Sequence, residues 1–270
     1  MERSLGLMCG AGVLPARMAD EARRRGWRVV AFTFDEAPGV AERAETVVAS
    51  RVAELGAVLT RLDREHVSTV LFSGRFSMPE VLRVGAVADA TFRSFAARAN
   101  SRSGASFVEA IIATMAAGGV EVLDQRDFVG DWLVAPGCWS ARTPTEAEWR
   151  DARSGLAVAR MIAAARIGQT VVVRHGAVVA VEAVEGMTET VRLGAALAGP
   201  GTVVVKAVAP DHDYRFDAPA VGPETLAAAA TGAVALVAIE AHRVLLFDRA
   251  EALRIADAAG IAVIGVDDAP

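Results

Sequence analysis

Cysteine is scarce in this chain of 270 residues, which contains only Cys9 and Cys138. Two cysteines provide neither the disulfide framework of a small secreted domain nor a cysteine-rich zinc site. We therefore expect a reducing, cytoplasmic location. Basic charge is not in excess either, since the formal net charge is -5. A nucleic-acid-binding domain usually carries a basic surface, so no nucleic acid is expected as a partner.

A hydrophobic run long enough to cross a membrane is also lacking, although 53% of the residues are hydrophobic. The longest apolar stretch, residues 226–239, is rich in alanine. A membrane-spanning helix needs about 20 strongly apolar residues. The hydrophobic fraction therefore reflects alanine content rather than a transmembrane segment.

Lysine occurs once, at Lys206, and every other basic residue is arginine. A lysine retained in such a composition would be needed where a compact ammonium group cannot be replaced by a guanidinium. Chance survival at the end of a strand explains it equally well, so composition alone leaves both interpretations open.

The first third of the chain alternates buried strands with amphipathic helices. Strands are expected at residues 5–9, 27–34 and 68–72, with helices after the first two. A βαβαβ order of this kind is typical of half a doubly wound sheet. We therefore predict a Rossmann-like α/β domain with a mostly parallel sheet over residues 1–130. Within this domain, residues 79–118 are expected to be helical.

The alternation of strands and helices is interrupted after the first domain and then resumes in a second α/β domain. Residues 131–144 are expected to be a linker, and residues 145–270 a catalytic domain with a mixed sheet and helices. His175-Gly176 separates two apolar runs and tolerates positive φ, which predicts a β-hairpin. A helix is expected from Pro144, with the proline in its first turn.

A glycine turn after the first strand is the first candidate site. Gly10 and Gly12 would let backbone N–H groups approach a phosphate at the start of a helix. Asp35 lies about where a dinucleotide fold keeps its ribose-binding acid, but Pro15 stands in place of the third glycine. A plain tight turn is as good an explanation of this motif.

A polar loop after a strand of the second half is the second candidate. Lys206, Asp213, Arg215 and Asp217 fall close together there. Strand ends are where α/β domains bind ligands. The two aspartates could hold Mg²⁺, and the two cations could neutralise a phosphoryl group. A solvated acidic loop is the alternative, but its prolines and Phe216 favour an ordered, functional loop.

A third candidate combines Glu182 and Glu185 at a strand end with Gly186 and Thr188 at the start of a helix. The glutamates could complete a metal or substrate site. Thr188 could equally be an N-cap, which requires no ligand.

These motifs together resemble one known family over residues 5–267. The similarity is to the LpxI-type UDP-2,3-diacylglucosamine pyrophosphatases of lipid A biosynthesis. It is densest after Gly168, and the Arg215-Phe216-Asp217 segment followed by Pro219 is its most specific part. The other segments that carry it are Gly10-Ala11-Gly12-Val13-Leu14-Pro15, Ser73-Gly74-Arg75, Gly168-Gln169, Glu182 to Gly186, Lys206 with Pro210, and Phe247-Asp248-Arg249.

The resemblance implies a Mg²⁺-dependent hydrolase at the cytoplasmic face of the inner membrane. Water would attack the α-phosphorus of the lipid-linked UDP-sugar and release UMP and lipid X. The key aspartate of the family corresponds to Asp217. Together with the chemistry of the candidate loops, this predicts Asp217, Asp213 and Lys206 for catalysis, Asp217 and Asp213 for the metal, and Gly10, Gly12, Pro15, Gly74, Arg75, Glu185, Gly186, Thr188 and Arg215 for the substrate. Peripheral membrane contact and a homo-oligomer are further expectations.

Two other functions are consistent with parts of the sequence. An NAD(P)-binding oxidoreductase would use the turn at residues 10–15 and Asp35, but it gives the loop after Lys206 no role. A non-catalytic or altered-substrate protein that binds a nucleotide-sugar lipid would bind without releasing UMP.

Overall fold

The computed structural model describes residues 3–76, 88–98 and 104–267, and it divides the chain into two units. The first unit comprises the chain up to Gly130 together with Asp213–Ala218, and the second comprises Asp131–His212 and the chain from Pro219. A six-residue segment of the second half of the sequence therefore belongs to the first unit.

The first unit contains a five-stranded sheet in the order β3-β2-β1-β4-β5, with every pair parallel. This strand order confirms the expected doubly wound, Rossmann-like arrangement. From β1 the chain adds β2 and β3 on one side of the sheet and then β4 and β5 on the other, so the topological switch point lies between β1 and β4. Its central strands are buried on both faces, as parallel strands covered by helices must be. The strands are β1 (Arg3–Cys9), β2 (Trp27–Thr33), β3 (Thr46–Ala49), β4 (Thr69–Ser73) and β5 (Glu121–Val122).

Five described helices belong to the first unit. They include the two expected after the first two strands, each ended by a basic last turn. Of the helical stretch expected at residues 79–118, residues 77–87 and 99–103 lie outside the described part. The helices are α1 (Leu14–Arg24), α2 (Leu55–Arg64), α3 (Ala90–Arg98), α4 (Gly104–Ala117) and α5 (Arg126–Val129).

The second unit contains a mixed sheet in the order β6-β13-β11-β9-β7-β8 and a two-stranded sheet of β10 and β12. β9, β11 and β13 run parallel, whereas β6, β7 and their neighbours pair antiparallel. The mixed sheet confirms the expected fold class. The strands are β6 (Gly137–Cys138), β7 (Thr170–Arg174), β8 (Ala177–Val181), β9 (Val203–Lys206), β10 (Ala220–Val221), β11 (Leu236–Glu240), β12 (Leu245–Leu246) and β13 (Ala262–Val266).

The expected hairpin joins β7 to β8. His175 and Gly176 form its turn with φ values of 50° and 80°. Positive φ at both central residues matches the twist of the strands on either side. The helices of this unit are α6 (Glu146–Ala164), α7 (Met187–Ala198), α8 (Pro223–Thr231) and α9 (Arg249–Ala258).

Residues 131–144, which we expected to be a linker, belong to the second unit. β6 pairs with β13, and the Trp139 N–H donates to the Val263 carbonyl at 2.8 Å. The next helix, α6, starts at Glu146, because Thr145 is its N-cap and forms a capping box with Glu148. Pro144 therefore lies just before the helix, and the expectation that it stands in the first turn was wrong.

Each unit has its own apolar core. Phe32, Leu62 and Phe72 are buried in the first, and Leu226 and Ile239 in the second. In the part of the chain that the structure describes, no helix combines the length and apolar character needed to cross a membrane.

Candidate functional site

The segment Asp213–Ala218 is anchored in the first unit by two aromatic side chains. Tyr214 is buried, and the Phe216 ring packs 5.0 Å from that of Phe72 and 5.5 Å from that of Phe76. These rings extend the apolar core of the doubly wound sheet. The polar loop is therefore ordered, as its composition indicated.

The charged residues of the segment alternate with these anchors along the chain and are more accessible than Tyr214. Asp213 accepts hydrogen bonds from Arg215, from Nε to Oδ1 at 3.0 Å and from Nη2 to Oδ2 at 2.7 Å. This hydrogen bonding, together with the Asp213 charge, raises the pKa of Arg215. Asp217 directly follows the Phe216 anchor and is exposed. The packing of Phe216 thus holds the backbone next to Asp217, whose carboxylate is exposed to solvent.

Three amides of the glycine turn donate to carbonyl groups of the protein. The N–H groups of Gly10 and Ala11 donate to the carbonyls of Ser73 and Arg75 at 2.8 Å each, and the Gly12 N–H donates to Glu36 at 3.0 Å. These bonds connect the loops after β1, β2 and β4. The amides of Gly10, Ala11 and Gly12 are therefore occupied by protein carbonyls, and phosphate binding at the start of the helix stays a prediction.

The glycines at this turn serve close contact between backbones. A Cβ atom on Gly10 would lie 2.6 Å from the Arg75 carbonyl oxygen, and one on Gly74 would lie 2.8 Å from the Ala11 carbonyl oxygen. Pro15 occupies the first turn of α1, where a missing N–H costs nothing. The Arg75 side chain is exposed. Substrate contacts by Gly10, Gly12, Pro15, Gly74 and Arg75 stay predictions.

In the second unit, Lys206 is the last residue of β9 and lies at the carboxyl edge of the sheet. Its side chain is only 6% exposed, and its Nζ lies 3.9 Å from Oε2 of Glu182. That glutamate oxygen also accepts from the Gln169 N–H at 3.2 Å. Thr170 pairs with Lys206 across the sheet, and no described residue hydrogen-bonds to its buried Oγ1.

A buried carboxylate at the same edge escaped the sequence analysis. Glu240 ends β11, is 2% exposed, and accepts from Arg160 Nε at 2.7 Å and from the Val208 N–H at 2.8 Å. The sequence pattern that could have identified it is a glutamate at the end of an otherwise apolar strand. The Val208 hydrogen bond fixes the backbone just beyond Lys206.

The third candidate group is mainly a helix start. Glu185 Oε1 accepts from the Ala183 N–H and from the Thr190 hydroxyl, both at 3.0 Å. Although burial raises the pKa of Glu185, these hydrogen bonds outweigh it and lower that pKa. The N-cap is Gly186, with φ of 83°, so the expectation of a Thr188 cap was wrong. Thr188 lies in the first turn of α7.

Mg²⁺ binds hard oxygen ligands and keeps several waters, so one or two carboxylates with substrate phosphates suffice. Asp217 fits this chemistry as an exposed carboxylate. Asp213 would first have to release Arg215, which engages both of its oxygens. Among the described residues, no three His, Cys, Asp or Glu side chains form a metal-binding group.

Comparison with known proteins covers nearly the whole chain. The LpxI N-terminal domain matches residues 4–132 and the LpxI C-terminal domain matches residues 135–264. UDP-2,3-diacylglucosamine pyrophosphatase LpxI of Caulobacter vibrioides is 30% identical over 277 residues, which span 98% of either chain. A UDP-glucose-4-epimerase structure from Stenotrophomonas maltophila matches 44% of this chain and 34% of its own at 17% identity and a TM-score of 0.30. The last similarity is too low to support an argument.

Proposed function

The chain belongs to the LpxI family, and from this premise we propose that it hydrolyses the pyrophosphate bond of UDP-2,3-diacylglucosamine. The observation that carries the proposal is the full-length relative of that name, which aligns with both units. The anchored Asp213–Ala218 segment adds a structural reason, because it presents an exposed carboxylate beside a guanidinium.

The proposed reaction consumes one water molecule. The water oxygen bonds to the α-phosphorus, and the bond from that phosphorus to the bridging oxygen breaks. The bridging oxygen leaves with the β-phosphate, so the products are UMP and lipid X. The protons of the water are shared between the leaving phosphate and solvent. Such a transfer depends on positioning and on neutralisation of phosphate charge.

We assign Asp217 to the centre of this reaction. Its carboxylate would hold Mg²⁺ together with the substrate phosphates, or orient the attacking water. Bound Mg²⁺ supplies positive charge for the phosphoryl oxygens. We assign Asp213 a different part, since its pairing with Arg215 orients that guanidinium. Metal binding by Asp213 stays an untested prediction.

The cations have separate parts in the proposal. The Arg215 guanidinium is 47% exposed, and its Nη1 group lies outside the pair with Asp213, so it is suited to donate to a phosphate oxygen. Lys206 is held at the sheet edge by burial and by the nearby Glu182. An ammonium so little hydrated gains much from an arriving phosphate.

The proposal places the protein at the cytoplasmic face of the inner membrane, because its substrate is a membrane lipid. Peripheral membrane contact and a homo-oligomer remain predictions. The dinucleotide alternative has less support, because the amides of Gly10, Ala11 and Gly12 in the glycine turn already donate to protein carbonyls.

Replacing Asp217 tests the proposal. We expect Asp217→Asn to remain folded, because the side chain is exposed, and to release UMP at least about 100-fold more slowly than the unmodified protein in the presence of Mg²⁺. The assay measures UMP formed from UDP-2,3-diacylglucosamine in detergent micelles.

Asp211→Asn is the matched control, since Asp211 is an exposed aspartate of the same loop that pairs with Arg166. We expect it to keep the unmodified rate. Equal rates for the two variants would remove Asp217 from the reaction, and an unmodified protein that binds substrate without forming UMP would support the non-catalytic alternative.

A further inference from the structure

Two Asp-x-Arg tripeptides of the first unit share one geometry. In Asp124-Gln125-Arg126, the arginine donates from its backbone N–H to Oδ1 at 2.8 Å, from Nε to Oδ1 at 3.0 Å and from Nη2 to Oδ2 at 2.6 Å. In Asp213-Tyr214-Arg215 the same three distances are 3.0, 3.0 and 2.7 Å.

The two tripeptides pack against each other, with Gln125 and Arg126 of the first in contact with Tyr214 of the second. The Gln125 N–H donates to the Tyr214 carbonyl at 3.1 Å, and the Arg126 guanidinium carbon lies 4.2 Å from the centre of the Tyr214 ring. Gln125 and Tyr214 are 1% and 5% exposed. Arg126 therefore lies over a ring that is buried in the unit.

The first pair is held in its charged form at neutral pH. Burial raises the pKa of Asp124, but the hydrogen bonds and charge of Arg126 outweigh it and lower that pKa, while the nearby Asp213 opposes them. The same partnership raises the pKa of Arg126. The guanidinium that lies on Tyr214 thus stays cationic, as a cation–π contact requires.

The contact matters because of where the chain goes next. His212 and Pro219, on either side of the segment, belong to the second unit, so the first unit holds the segment only through residues 213–218. Tyr214 and Phe216 are its two aromatic anchors, and Asp217 follows directly. A shift of the Tyr214 anchor would be passed along three residues to the Asp217 carboxylate.

We propose that Arg126 is a positioning residue that holds Tyr214, through its cation–π contact and the adjoining Gln125 hydrogen bond, and thereby fixes the Asp217 carboxylate for the reaction. This inference rests on the proposed function. Arg126 is paired with Asp124 and is not assigned a contact with the substrate. Displacement of a reacting group by about 1 Å can slow a reaction up to about 100-fold.

The single tyrosine of the chain makes the inference directly observable. Protein labelled with 3-fluorotyrosine gives one ¹⁹F resonance, which reports on Tyr214 alone. We expect Arg126→Ala to move this resonance, to lower kcat for UMP release about 10- to 100-fold, and to leave KM nearly unchanged. The melting temperature should stay within about 4 °C of the unmodified protein, because a half-exposed contact is removed.

Arg126→Lys is the conservative variant. It retains the charge but loses the planar fork that pairs with Asp124 and stacks on Tyr214. We expect an intermediate kcat and an intermediate resonance position. The matched control is Arg51→Ala, which removes an exposed arginine of the same unit that pairs with Glu54, and which should change neither quantity.

The possible outcomes distinguish a failure of this inference from a failure of the proposed function on which it rests. A moved resonance with unmodified kcat overturns the positioning role, because Tyr214 would shift without consequence. An unmoved resonance overturns the contact itself. Should Arg126→Ala fail to fold, Arg126→Lys decides by the same two measurements. An unmodified protein that forms no UMP refutes the proposed function, whatever the resonance does.

Discussion

Gly10 and Gly74 carry a role that residue type alone could not assign. A glycine after a strand is compatible with a phosphate-binding turn and with a close backbone contact. The two roles can be distinguished only from the atoms that lie near the glycine in the folded structure. Here the loops after β1 and β4 touch at Ala11 and Arg75, which form an isolated antiparallel bridge. The space that a side chain on Gly10 would need is filled by the Arg75 backbone.

We predict that Gly10→Ala lowers the free energy of unfolding by about 1–3 kcal/mol, the usual cost of overpacking against atoms that cannot move aside. Denaturant unfolding measures the change. Gly130→Ala is the control, since a Cβ atom on Gly130 would meet nothing within 4 Å. Equal stability of the two variants would contradict the close-contact role of Gly10.

Candidate site residues were predictable where a charged group stands beside a strong local pattern. Asp217 and Arg215 could be selected because prolines and Phe216 marked their loop as ordered. Glu240 and Gln125 could not be, because their partners Arg160 and Tyr214 are distant in sequence. Contacts of that kind depend on how the chain folds back, which local periodicity does not contain.

At the scale of elements, long periodic segments were predictable and short ones were not. The hairpin of β7 and β8 and the helices α1, α2 and α6 lie close to where the sequence indicates them. β3, β6 and β10 have four, two and two residues, and so they are defined by pairing with β2, β13 and β12 rather than by their own pattern. The same limit explains why residues 131–144 were expected to be a linker.

The start of α6 gives a prediction about an element. Thr145 and Glu148 form the capping box, and Arg142 donates to both Glu148 oxygens at 3.1 Å. We predict that Thr145→Ala lowers the free energy of unfolding by about 1 kcal/mol, the usual cost of losing a side-chain cap. Thermal unfolding measures it, and no change would contradict the capping role.

The carboxylate of the box adds a dependence on pH. Burial raises the pKa of Glu148, but the hydrogen bonds and charge of Arg142 and the Thr145 N–H outweigh it and lower that pKa. A depressed pKa stabilises the fold above the unfolded value of about 4.3, and this contribution disappears as the pH falls through the folded value.

Glu148→Gln should therefore destabilise the protein at pH 7, and the difference from the unmodified protein should shrink as the pH falls below about 4. The exposed Glu146 stands in the same first turn, so Glu146→Gln is the control and should show a much smaller effect. A stability difference for Glu148→Gln that grows on acidification would contradict the sign argued here.

At the scale of the whole molecule, the chain is not divided where a linear scan places its boundaries. Two α/β units were predictable from the alternation of strands and helices, and the mixed and parallel sheets followed from it. The transfer of Asp213–Ala218 to the first unit was not, because it depends on contacts with the other half of the sequence. Phe216 packs against the apolar core of the first unit, and Tyr214 contacts Gln125 and Arg126. The proposed catalytic carboxylate thus belongs to the first unit, and the lone lysine to the second.

The central claim is that water attacks the α-phosphorus of UDP-2,3-diacylglucosamine, and an isotope experiment tests it most directly. The purified protein is incubated with this substrate and Mg²⁺ in water enriched in ¹⁸O, and both products are analysed by mass spectrometry. We predict one ¹⁸O atom in UMP and none in lipid X, with no turnover when Mg²⁺ is chelated. Label in lipid X, or the absence of UMP altogether, would contradict the account.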